Sequence, residues 1–134
     1  MKFGFTCRAH FIKTMLLCAT SCLFATVPLH AFYARNGAYH HLFLLVTVLS
    51  ILFHSTQHPI LRKIDTVVAH CAYAFMLWES YKAALAGQAW LVVFPLAVAA
   101  LWLLQRPFPT RQNQLHAGLH CVSVVGLHAF LVWL

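Results

Sequence analysis

Apolar residues fall in five blocks, at 11–32, 39–57, 64–81, 89–104 and 114–134, divided by short polar links that carry Gly or Pro. A helix needs about 20 residues to cross a hydrocarbon core about 30 Å thick, and the blocks approach that length. The pattern predicts an all-α fold, a single integral membrane domain over 1–134 built as a bundle of about five transmembrane helices. The fourth block is short and contains Pro95, which predicts a kink. Links such as Arg35-Asn36-Gly37, His58-Pro59 and the stretch from Arg106 to Arg111 are too brief to be a second domain and favour antiparallel neighbours.

Composition supports this picture. Of 134 residues, 62% are hydrophobic and 8% are charged, whereas an ordinary soluble domain is about one quarter charged. So few polar groups cannot cover a surface in water. The nine Lys and Arg residues are scattered singly or in pairs, which excludes the basic stripe of a nucleic-acid binder and reads as membrane topology instead. Lys2, Arg8, Lys13, Arg62, Lys63, Arg106 and Arg111 fall on one side of the alternating spans, and Arg35 and Lys82 on the other. That imbalance puts the N-terminus in the cytoplasm and the C-terminus outside or in a lumen. The first block also has the basic start and small residue (Ala31) of a secretory leader; its removal would leave four helices with the same orientation.

Ten histidines against two acids call for an explanation, because ionisable side chains within spans usually face a bundle interior or a polar cavity. Ser50, His54 and His58 recur every four residues and share a helical face. Asp65 opens the third helix at the same membrane depth, and His116 and His120 lie one turn apart at the start of the fifth. Alternating direction therefore brings Ser50, His54, Asp65, His116 and His120 to one depth of one leaflet. Three neutral imidazoles and a water compose a catalytic zinc set. Such an ion delivers hydroxide near neutral pH, with Asp65 and Ser50 placed to handle the proton or an oxyanion.

The order SxxxH (Ser50 to His54), an Asp eleven residues later (Asp65) and a late HxxxH (His116 to His120) resembles the CREST superfamily of membrane hydrolases, which includes alkaline ceramidases and adiponectin and progestin receptor-type proteins. The spacing is most similar to the ceramidases, and the chain resembles a short, divergent member. The resemblance implies zinc held by His54, His116 and His120, with Ser50 and Asp65 assisting cleavage of a lipid amide or ester. It further implies a membrane lipid substrate. Members usually have seven helices, so a homo-oligomer or partner subunit would supply the two that are missing. Calcium binding like that of the ceramidases is not expected, since Asp65 and Glu79 are the only acids.

Plainer roles stand beside these. Asp65 could cap its helix, Ser50 could bond back to its own helix, and the histidines could sit at the membrane interface. His58 is the substitute ligand should His54 point away. Glu79 lies about 21 Å deeper than Asp65 by helix rise and suits an ion pair with Lys82. His70 is turned away from Asp65, towards another neighbour. Trp78, Trp90 and Trp133 fit an outer aromatic belt. Two other functions remain open: a haem-binding electron carrier using His40, His41 and His128, and a non-enzymatic membrane subunit that keeps the scaffold.

Overall fold

The computed structural model describes residues 14–134. The basic residues Lys2, Arg8 and Lys13 of the topology count, and the start of the first predicted span, lie outside the described residues. The described chain forms five helices and no strand: α1 Thr14–Tyr33, α2 Gly37–Thr56, α3 Pro59–Leu85, α4 Val93–Leu104 and α5 Gln112–Trp133. Short 3-10 turns, Ala89–Val92 and Pro109–Arg111, lead into α4 and α5.

The ends of the helices follow from their residues. Asn36 accepts a hydrogen bond from the Tyr39 amide to start α2, and Gln57, at φ 54°, ends it in the left-handed region. His58 caps α3 by accepting from the Ile60 amide at 3.3 Å, and Pro59 takes the first helical position, where a missing N–H costs nothing. This corrects two expectations. Asp65 does not cap α3 but lies inside it, and His58 serves the backbone. Pro95 does not kink the fourth helix. It sits in the first turn of α4, where no intrahelical bond is lost, and its carbonyl accepts the Tyr73 hydroxyl at 3.1 Å.

An interruption occurs instead in α1. Pro28 cannot donate to the Phe24 carbonyl, and the chain tightens there. Phe24 bonds back to Ser21, and Ala25 to Cys22, each at 3.1 Å. The helix resumes over Thr26–Tyr33.

Successive helices pack side by side, and α5 closes the ring against α1 while also touching α3. The core holds Val27, Tyr39, Phe43, Met76, Leu91, Leu127 and Phe130. Gly126 lets α5 approach α4: a Cβ there would lie 2.7 Å from Phe94 Cβ. Outside, the bundle is apolar, with Leu44, Val48, Val67, Leu77, Leu96, Leu103 and Val125 all exposed.

Three helices, α1, α2 and the segment Pro109–Trp133, are long and apolar enough to cross a membrane. The expected five spans are thus met by three on length and composition. The third helix is long but carries Arg62, Lys63, Asp65, Glu79 and Lys82, and the segment Ala89–Leu104 is shorter than a full span.

Candidate metal centre

Within α5, His116 and His120 are one turn apart, and their ring centroids lie 4.7 Å from each other. Across from them on α2 stands His54, with ring centroids 5.4 Å from His116 and 5.6 Å from His120. Each ring has one nitrogen in the group, and these three atoms all lie within 4.8 Å of one another. Ligands around a tetrahedral zinc stand about 3.3 Å apart, given Zn–N bonds of about 2.0–2.1 Å. An inward shift of roughly 1 Å per side chain closes the set.

Burial makes the arrangement chemically demanding. His54 is 2% exposed and His120 is 5% exposed. Neither ring nitrogen of His54 has a hydrogen-bond partner. A buried imidazole in that state forgoes a stabilisation of order 1–3 kcal/mol, and a cation held with His116 and His120 restores it. The donor set is chemically apt: three neutral nitrogens suit zinc and leave a fourth position free.

The predicted polar partners lie alongside. Ser50, Asp65, His116 and His120 line one cavity of about 110 Å³, whose other walls include Phe24, Phe43, Met76 and Leu127. Ser50 of α2 and Asp65 of α3 thus share that cavity. Instead of bonding to its own helix, Ser50 meets Ser21 Oγ of α1 at 3.2 Å. Asp65 is only half-buried and is not one of the three clustered ligands. His58, the substitute ligand, is exposed and occupied as a cap.

Two residues of α1 belong to this site and were not picked out from the sequence. Thr20 Oγ1 lies 3.1 Å from His120 Nδ1, and Ser21 Oγ lies 3.5 Å from the same atom. Phe24 packs edge-on to the His120 ring at 5.4 Å. The only available signal was small hydroxyl residues in an otherwise apolar helix, and nothing in the sequence sets their rotation towards α5. Removal of a leader at Ala31 would take these three contacts away.

Of the other described histidines, His30 and His128 engage each other. His128 Nε2 bonds Thr26 Oγ1 at 2.9 Å, its Nδ1 meets His30 Nδ1 at 2.8 Å, and His40 Nδ1 donates to the Pro28 carbonyl at 2.9 Å. Of the residues proposed as haem ligands, His40 thus spends one ring nitrogen and His128 both on protein partners. His70 does not face a neighbour as expected: it is exposed and donates back to the Thr66 carbonyl. Glu79 forms its ion pair with Lys82 at 2.8 Å but is itself 3% exposed, deeper than a boundary pair implies.

No protein-family model, curated protein or solved structure matches this chain.

Proposed function

We propose that this chain is an integral membrane, zinc-dependent hydrolase of a lipid amide or ester, a short divergent relative of the CREST hydrolases. One observation carries the reading. Nitrogens of three histidines from two helices lie within 4.8 Å of one another, and two of those histidines, His116 and His120, line a cavity with Ser50 and Asp65. Exposed Leu, Val and Trp side chains around the bundle suit a lipid surround, since such a surface in water invites association. All five helices lie in the bilayer in this reading, with the N-terminus cytoplasmic and the metal centre in the inner leaflet. The basic residues Arg62, Lys63, Arg106 and Arg111 then face the cytoplasm.

Zinc on His54, His116 and His120 supplies Lewis acidity that makes water an effective nucleophile near neutral pH. Asp65, reaching the cavity from α3, receives the proton that the attacking water loses. It then returns that proton to the departing amine or alcohol, so that one water is consumed and one acid released. Ser50 lines the same cavity as Asp65 and is the second polar partner in this reading. The apolar walls exclude bulk water and accept hydrocarbon.

The test is metal analysis of the purified protein followed by turnover on a panel of long-chain N-acyl amides and esters. About one zinc per chain, with turnover cut about 10²–10⁴-fold in Asp65→Asn, is expected. A metal-free protein would overturn the reading, and zinc without turnover would favour the non-enzymatic subunit.

A further inference from the structure

The metal centre as read so far draws its ligands from α2 and α5 and its acid from α3. The contact between α1 and His120 extends it. The Thr20 hydroxyl has one proton and lies 3.1 Å from the Leu16 carbonyl and 3.2 Å from that of Leu17, so its proton goes to its own helix. The Ser21 hydroxyl is committed in the same way to the Leu17 carbonyl at 2.8 Å. With those protons kept on α1, His120 Nδ1 faces two acceptor oxygens, at 3.1 and 3.5 Å. A neutral imidazole carries one N–H; placed on Nδ1 it meets those acceptors and leaves the lone pair on Nε2 for a cation.

We propose that Thr20 is a positioning residue of the metal centre: its hydroxyl oxygen accepts the Nδ1–H of His120, which fixes both the tautomer and the plane of that ring so that Nε2 is presented to zinc. The inference rests on the metal reading above. Outer partners of this kind typically govern metal affinity by 10–100-fold. The hydrogen bond is buried, with Thr20 at 8% and Ser21 at 0% exposure, so water does not replace a lost partner readily. The first helix then has a task beyond spanning or anchoring, and its break at Phe24 and Ala25 follows the turn that carries Thr20 and Ser21.

The experiment pairs zinc competition against a chromogenic chelator with nitrogen-15 NMR of imidazole tautomers, on the purified full-length chain in detergent. Thr20→Val, close in shape but without the hydroxyl, is expected to weaken zinc binding roughly 10–100-fold. Thr20→Ser, which keeps the acceptor, is expected to restore affinity close to wild type. Equal affinity in wild type and Thr20→Val would overturn the proposal, as would failure of Thr20→Ser to rescue. Should Thr20→Val not fold, the NMR measurement decides the matter on the wild-type chain without metal. A proton on His120 Nδ1 upholds the role of Thr20, and a proton on Nε2 overturns it. Absence of zinc from a wild-type protein that shows the Nδ1–H form would count against the metal reading alone.

Discussion

His54 on α2 and His120 on α5 face each other with ring centroids 5.6 Å apart, and the His54 nitrogens have no hydrogen-bond partner. Neither residue can satisfy the other as the site stands. A cation between them and His116 resolves the deficit, so zinc content is the first property to measure. About one zinc per chain is expected, and His54→Ala or the double change His116→Ala with His120→Ala should abolish it. The loss should exceed the roughly 10–100-fold that follows removal of an outer partner. A Soret band in place of zinc would point to haem.

Zinc affinity should fall as the solution is acidified. Imidazole ligands bind metal only when neutral, so protons compete with the ion. Three ligands of this type make the fall steep once the imidazoles take up protons. Chelator competition from about pH 8 down to about pH 3.5 measures it; an affinity that stays constant down to the pH at which the protein itself unfolds would indicate that histidines do not hold the ion.

Asp65→Asn should separate chemistry from metal binding. The carboxylate lines the cavity without joining the three-histidine cluster. Zinc content should stay at the wild-type level while turnover falls about 10²–10⁴-fold, the usual contribution of a general acid or base. Parallel loss of zinc would make Asp65 a ligand.

His58→Ala is expected to act on the fold and not on the metal. Its side chain caps α3 through the Ile60 amide, and loss of a cap costs about 0.5–2 kcal/mol. A lower thermal midpoint in detergent with unchanged zinc stoichiometry is the expected pair of results.

Gly126→Ala should destabilise the bundle by about 1–3 kcal/mol, the usual cost of overpacking, because the added Cβ would meet Phe94 at 2.7 Å. Gly118→Ala is the control. Its nearest neighbour would be Leu101 at 3.9 Å, an ordinary contact. Thermal unfolding of both variants in detergent distinguishes a tight α4–α5 approach from a general intolerance of alanine.

Much of the site could be read from spacing. A period of 3.6 residues puts Ser50 with His54, and His116 with His120, on common faces, and short links force alternate helices to run in opposite directions. Those two rules suffice to bring five residues to one depth. They do not give the rotation of each helix about its own axis. That rotation is set by packing, for instance by the approach of Gly126 to Phe94; His58 leaves the site for another reason, since α2 ends at Thr56 and His58 caps α3.

The sequence by itself determined that the chain is helical and mostly apolar, with histidines matched in depth, because these properties depend only on local period, block length and direction. Only the tertiary structure decided that Thr20 and Ser21 reach His120, that Glu79 is buried, that Pro28 interrupts α1 while Pro95 begins α4, and that His58 is spent on a cap. Those outcomes depend on contacts between residues far apart in the chain, or on where a helix begins, and no local pattern encodes the distance across a helix interface.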